Sequence, residues 1–256
     1  MIDWSGPVPA GLVSYLLVSM RMAGVLLLAP PLSSMAVPVL VRGAIVLGLS
    51  AAVWPAVAAS VPAELPWPAL ASAAVLEFAT GALMALGVNI GFAAFAIGAR
   101  ILDVQIGFGI GQVLDPATRL RMPVLSAAFV LFAPVLFVLA DCHHVMLRAV
   151  ARGLERFPLG TPWTAEAASH AVWPLVQGMF TLGLAMVAPV VFCLVLVELA
   201  LGVIARNLPQ MNVFILGIPI KVLSGLAALG AWMAAATAPM TRVFEAIFRS
   251  WEASLR

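Results

Sequence analysis

Val172–Ala205 reads VWPLVQGMFTLGLAMVAPVVFCLVLVELALGVIA, and its single charged side chain is Glu198. A membrane span needs about 20 mostly apolar residues, and an apolar run of 18 or more is read as one. This run clears that threshold and decides the fold class. Working outward, five more runs of the same kind appear: Val213–Ala238 after it, and Met122–Ala140, Ala69–Ala99, Val37–Ala59 and Leu12–Pro30 before it. The whole chain of 256 residues is 64% hydrophobic and 9% charged, with a mean hydropathy of +1.12. Globular domains carry about 45–50% apolar and roughly 25% charged residues. The composition therefore excludes a cytosolic enzyme domain, a disordered tail and a nucleic-acid binder resting on a dense basic patch. An all-α, membrane-class protein is expected.

Thirteen basic and eleven acidic side chains give a net charge of +2, which selects no acidic partner. Two isolated cysteines, Cys142 and Cys193, supply neither a disulfide framework nor zinc spacing. The first run is not a removable signal peptide: no basic segment precedes it, Arg21 lies inside it, and no Ala-x-Ala site follows. No internal repeat or linker divides the chain, so a single domain over 1–256 is expected.

Simple lipid-facing helices do not fit all of this. Arg21, Arg42, Glu77, Glu198 and Lys221 lie in or beside the runs. Such a group costs about 2.5–3.5 kcal/mol at a helix centre, so each should face protein or water. Pro30-Pro31, Pro38, Pro55, Pro134, Pro174, Pro189 and Pro219 interrupt the runs and predict kinked or broken helices. The runs at Ala69–Ala99 and Val172–Ala205 are longer than a ~30 Å hydrocarbon core requires. Six spans would collect Arg148, Arg152, Arg156, Arg242, Arg249 and Arg256 on one side, against Arg42, Arg100, Arg119, Arg121 and Arg206 on the other. That near-balance orients nothing.

Between the third and fourth runs lies the most unusual stretch, Gly98–Pro116. Gly107, Gly109 and Gly111 alternate with Phe108 and Ile110, and Asp115-Pro116 signals a turn. A phosphate-binding G-x-G-x-x-G would need glycine where Gln112 stands, and no strand precedes it. The residues predict an apolar, flexible loop running to Met122-Pro-Val-Leu-Ser126. In a membrane-class protein such backbone must be buried by protein or line a cavity. It is either a buried re-entrant connector or a gate that seals a pore. Leu199–Leu226 predicts a helical hairpin: one helix ends near Arg206-Asn207, Pro209 marks the turn, and a second helix starts around Asn212. Gly202, Gly217 and Gly225 permit close helix approach.

Cys142–Phe157 predicts an amphipathic helix with Leu147, Val150, Ala151 and Leu154 on one face and Arg148, Arg152, Glu155 and Arg156 on the other. The C-terminus repeats the pattern: Phe244, Ile247, Phe248, Trp251 and Leu255 oppose Arg242, Glu245, Arg249, Glu252 and Arg256. Solvation or a partner can account for either polar face. No catalytic constellation is present. His143-His144 are adjacent, and neighbouring side chains on a helix point apart, so a polar helix start at Asp141 is expected rather than a metal site. His170 is isolated. Glu77 and Glu198 suit either a proton relay or pairing with Arg21, Arg42 or Lys221.

Gln105–Pro116 followed by Met122–Ser126, the stretch Arg206-Asn-Leu-Pro-Gln-Met-Asn-Val-Phe-Ile-Leu-Gly-Ile-Pro-Ile-Lys221, and the opening Arg21–Ala29 run with Ala29-Pro-Pro-Leu32 and Val37-Pro38 resemble the FliR family of flagellar type III export-gate proteins. The resemblance covers the chain from about Leu12 to Ala238. Its most specific element holds Arg206, Pro209, Gln210, Asn212 and Phe214, and extends to Pro219 and Lys221. Virulence-secretion relatives of the SctT type share that element, whereas the Asp115-Pro116 block and Phe157-Pro-Leu-Gly160 resemble the flagellar branch more closely.

The resemblance implies a non-enzymatic gate subunit without a cofactor, in the bacterial inner membrane and flagellar basal body, with part of it lifted toward the periplasm. It implies a FliP-like part over about 1–190 with a pore plug at 106–122, a FliQ-like hairpin over about 191–240 and an amphipathic helix over 241–256. The plug would comprise Ile106, Gly107, Phe108, Gly109, Ile110, Gly111, Asp115, Pro116 and Met122. The implied partners are FliP-type and FliQ-type subunits, a FlhB-type switch protein and exported flagellar subunits in transit, with no nucleic acid. Where the family shows Gly-Glu and a small residue ahead of the glutamine, this chain has Ala99-Arg100 and Asp103, a spacing that permits an Arg100–Asp103 pair. The alternatives are a virulence export gate, a small-solute transporter using Glu77, Glu198 or Lys221 at helices broken around Pro189 and Pro219, and, last, an intramembrane enzyme.

Overall fold

The computed structural model describes residues 10–30, 32–33, 37–57, 66–108, 123–162, 165–208, 210, 212–233, 241–245 and 247. These are helical apart from short connections: α1 (Ala10–Leu28), α2 (Val39–Val57), α3 (Trp67–Ile106), α4 (Val124–Leu139), α5 (Cys142–Arg156), α6 (Ala165–Asn207) and α7 (Val213–Met233). No strand occurs among the described residues, as the apolar runs predict. Among the described residues five helices, α1, α2, α3, α6 and α7, are long and apolar enough to cross a membrane, and α4 with α5 makes a sixth if that bent pair is one span.

The six runs do not become six equal spans. Met122–Ala140 yields α4, only 16 residues long, because Pro123 stands at its start and the chain turns at Ala140-Asp141. Most of the expected proline breaks are absent. Pro30 and Pro38 do border helices, but Pro55, Pro134 and Pro219 lie inside α2, α4 and α7, and α6 continues through Pro174 and Pro189. A proline deletes one backbone donor, and the remaining ladder with its packing neighbours carries the helix past it. At 40 and 43 residues, α3 and α6 are each about 60 Å long at 1.5 Å per residue. That is twice the hydrocarbon thickness.

The chain forms two compact units, with boundaries inside α3 and α6: residues 1–90, 141–176 and 246–256 in one, 91–140 and 177–245 in the other. In the first, α1 packs on α2. Trp54 Nε1 donates to Ser14 Oγ at 2.8 Å and Tyr15 OH to the Leu47 carbonyl at 3.1 Å, and the two rings meet edge-on. α1 crosses α3 glycine against glycine. A Cβ on Gly24 would press on the Phe78 carbonyl and sit 2.9 Å from Ala82 N; one on Gly81 would press on the Arg21 carbonyl and sit 3.0 Å from Gly24 Cα. The obstacles are backbone, which cannot rotate away. Gly81→Val is therefore expected to destabilise the purified chain by about 1–3 kcal/mol or more. Gly48→Ala, where a Cβ meets nothing within 4 Å inside helix α2, should leave the thermal midpoint in detergent unchanged or raise it slightly, since alanine favours the helix.

α5 lays one face into this unit and keeps Arg148, Arg152, Glu155 and Arg156 outside. The buried face is Met146, Ala149, Val150, Gly153 and Leu154, so it is centred one position away from the expected one: Leu147 and Ala151 are half-buried. Gly153 has no side chain and sits 3.7 Å from Met84 Cε by its Cβ position, which lets α5 approach along that line. In the second unit, α3 and α6 cross at Gly98 and Gly183, each of whose Cβ positions abuts the opposing backbone. Phe244 packs among Phe92, Phe95 and Phe137, with centroids 5.0–5.3 Å away. Val243, Phe244 and Ile247 are buried and Arg242 and Glu245 exposed, following the predicted C-terminal pattern. Phe248, Arg249, Trp251, Glu252, Leu255 and Arg256 lie outside the described residues.

Candidate functional site

The glycine-rich segment leaves α3 after Ile106 and re-enters helix at Val124, both in the second unit. The first N–H groups of a helix have no partner within it. At α4 the preceding residue is Pro123, whose side chain cannot cap. The cap comes from α3: the Asp103 carboxylate accepts from Leu125 N at 3.0 Å and, through Oδ2, from Ser126 N at 2.8 Å and Ser126 Oγ at 2.6 Å. Asp103 is fully buried and Ser126 nearly so. A carboxylate at a helix N-terminus also meets the positive end of the helix dipole. The two ends of the segment are thereby tied at one point.

The other side of this junction is apolar. Ile106 is fully buried, and a Cβ on Gly225 of α7 would lie 2.6 Å from Ile106 Cγ1 and 3.2 Å from Leu194 Cδ2. Only a glycine lets α7 come this close. Gly107 then turns the chain with φ 102°, a conformation that residues with side chains rarely adopt, and Phe108 is half-buried in the turn. The Arg100–Asp103 pair that the spacing permits is not formed. Arg100 is exposed, and the Asp103 oxygens are held by backbone and hydroxyl donors 22 and 23 residues ahead in sequence. A three-residue helical spacing permits an ion pair but gives no reason to prefer it to a buried helix end. Gly109, Ile110, Gly111, Asp115, Pro116 and Met122, with Arg119 and Arg121, lie outside the described residues.

The first unit holds a buried charge network. Arg21 Nε donates to Glu77 Oε2 at 2.5 Å, with side chains 3% and 1% exposed. The guanidinium also donates to the carbonyls of Phe157 at 3.1 Å and Gly153 at 3.4 Å, at the C-terminal end of α5 where a cation is favoured. The second Glu77 oxygen accepts from Gly160 N at 2.7 Å, and Gly160 has φ 79°. The turn Phe157-Pro-Leu-Gly160 thus closes onto a pair formed between α1 and α3. Every oxygen of Glu77 is engaged, which offsets the cost of burying it.

The remaining sequence candidates are more open. Arg42 is half-buried and its Nε donates to the Val37 carbonyl at 3.0 Å. Glu198 is exposed, not buried, and pairs with Lys221 across the hairpin of α6 and α7, because their outer faces are uncovered in the isolated chain. Arg206 and Gln210 are exposed, Asn212 precedes α7 and accepts from Ile215 N at 3.4 Å, Pro219 lies exposed within α7, and Phe214 lies in its first turn. Pro209 is outside the described residues. Cys142 and Cys193 form no disulfide among the described residues, the first being buried and the second exposed. The two adjacent histidines do not point apart: the His143 and His144 ring centroids are 4.1 Å from each other. Both stand in the first turn of α5, where no preceding turn restricts the rotamers.

Sequence reasoning missed Ser126, the part Asp103 plays, and the acceptors at Gly153 and Phe157. The available signal was a helix start with no capping side chain of its own, which obliges another segment to supply one.

Residues 12–247 match the sequence family described as bacterial export proteins, family 1. The flagellar biosynthetic protein FliR of Bacillus subtilis (strain 168) is 34% identical over 134 residues, so the alignment spans about half of each protein, 51%. The FliR of Escherichia coli (strain K12) is 27% identical over 232 residues, 90% of this chain and 87% of that protein. The Yop proteins translocation protein T of Yersinia pestis is 25% identical over 221 residues, 85% and 84% of the two chains. With nearly all of its described helices inside that match, the chain belongs to family 1 of the bacterial export proteins, the family of FliR.

Proposed function

We propose that the chain is a non-enzymatic subunit of a flagellar type III protein export gate in the bacterial inner membrane, and that residues 106–122 plug its channel. The observation that carries the plug is the tie at Asp103, which anchors both ends of an apolar, glycine-rich segment on buried helices. An anchored base with a glycine-rich span between is what a displaceable seal requires. The FliP-type and FliQ-type partners are supported by unburied apolar surface. Only 11% of the α2 window and 17% of the α6 window are buried inside the chain, against 56% in α1. Patches of that kind on a non-enzymatic membrane subunit mark surfaces for neighbours or lipid. In this reading the part before about residue 190 is FliP-like, 191–240 is FliQ-like, a FlhB-type protein docks on the assembly, and part of the chain is lifted toward the periplasm. A solute carrier is less well supported, since Glu77 and Glu198 are each engaged by a cation. The flagellar branch is favoured over the virulence branch by the Asp115-Pro116 block and by the 34% identity over 134 residues to the Bacillus subtilis FliR, against 25% over 221 residues to the Yersinia pestis protein.

The test is deletion of Gly107–Gly111 in the co-purified gate complex returned to membranes. Passage of ions or small molecules should rise well above that of the unmodified complex. Unchanged permeability in an assembled complex removes the plug, and purification of the tagged chain as a lone monomer removes the gate assembly.

A further inference from the structure

Asp141, His143 and His144 place three metal-ligand atoms within 4.8 Å of one another at the start of α5, all within the first unit. We propose that this cluster is a binding site for a divalent transition cation of the zinc class. Asp141 stands at the helix start yet makes no side-chain cap bond; its Oδ1 instead lies 3.2 Å from His144 Nδ1. Two ligands of a tetrahedral zinc with bonds of about 2.0–2.1 Å are separated by about 3.3 Å, so this pair already stands at the edge length of such a site. Asp141 has φ 54°, a left-handed conformation that aspartate adopts more readily than most residues with a side chain. The third member supplies an independent indication: His143 Nδ1 is buried and has no hydrogen-bond partner among the described residues. A buried ring nitrogen without a partner is disfavoured, and coordination would satisfy it.

Two neutral imidazoles and one carboxylate are ligands that suit zinc, nickel or copper(II) and suit magnesium or calcium poorly. Three protein ligands leave a fourth position for water or a neighbouring chain. The helix N-terminus is electrostatically unfavourable for a cation, and the Asp141 charge opposes that. Cys142, between the ligands in sequence, is buried in the core. The ion would fasten the first turn of α5, whose last turn is gripped by Arg21.

The chain contains three histidines in all, so the background is low. The full chain, purified in detergent with an affinity tag free of histidine and stripped of metal, is titrated with zinc alone against a chromogenic chelator. One equivalent should bind in the micromolar range or tighter. His144→Ala and Asp141→Asn should each weaken it at least tenfold, and His170→Ala and Cys193→Ser should leave it unchanged. Cobalt in place of zinc should show visible absorption that His143→Ala abolishes, and excess magnesium should not displace it. Ligand variants with unchanged helical circular dichroism but lost binding support the site. No binding by the unmodified chain, equal binding by the His143→Ala/His144→Ala double variant, or loss on His170→Ala overturns it.

Discussion

Glu77→Ala is expected to lower the stability of the chain by about 3–5 kcal/mol, the cost of leaving one partner of a buried ion pair uncompensated. Arg21 would remain 3% exposed by its side chain with no counter-charge, and Gly160 N would lose its acceptor. Arg21→Met should be comparably damaging for a second reason: it also removes the donor to the Gly153 and Phe157 carbonyls at the end of α5. The double variant Arg21→Met/Glu77→Met separates desolvation from packing. With both charges gone and side-chain volume roughly kept, it should be more stable than either single variant, because neither buried charge is orphaned. Thermal unfolding in detergent and the amount of chain recovered from membranes are the measurements. Single-variant losses that simply add in the double variant would mean the two side chains do not act as a pair, and an unchanged Glu77→Ala midpoint would mean the site is hydrated rather than buried.

The pair also marks how far the sequence could be read. Helix class, the hairpin with α6 ending at Asn207 and α7 starting at Val213, and the polar face of α5 follow from hydrophobic period and turn residues. Those signals are local. The intramembrane charges were legible as groups that must be satisfied, but two carboxylates and three cations allow several pairings. Choosing among them needs the glycine-on-glycine crossing of α1 and α3 that brings Arg21 to Glu77. Most of the proline breaks are absent for a related reason: a proline such as Pro189 carries a local cost that the sequence displays, while the packing that tolerates it is not local. The angular spacing of a regular helix separates His143 from His144, but it does not hold side chains in the first turn. The nearest charged neighbour of Asp103 in sequence is Arg100, whereas its partners lie across the segment it closes.

That last contact carries the larger functional consequence. Asp103→Ala is expected to release the base of the glycine-rich segment and raise the ion and small-molecule permeability of membranes holding the assembled gate. Three donors lose their acceptor at once: Leu125 N, Ser126 N and Ser126 Oγ. Loss of a helix cap costs about 0.5–2 kcal/mol, and each buried donor left unsatisfied adds about 1–3 kcal/mol. Those terms overlap, and together they are large enough to shift the segment between a tied and an untied state by tenfold or more, since 1.4 kcal/mol is a factor of ten. Asp103→Asn keeps one carbonyl acceptor and should leak less. Ser126→Ala removes one bond of three while leaving both backbone donors capped, so it should leak least. A graded leak in the order Asp103→Ala, Asp103→Asn, Ser126→Ala ties permeability to the cap. If Asp103→Ala lowers the thermal midpoint and the assembled gate stays sealed, the carboxylate holds α4 in place and the seal lies elsewhere, because a plug whose two ends are untied at a buried junction cannot keep its position by its own apolar side chains alone.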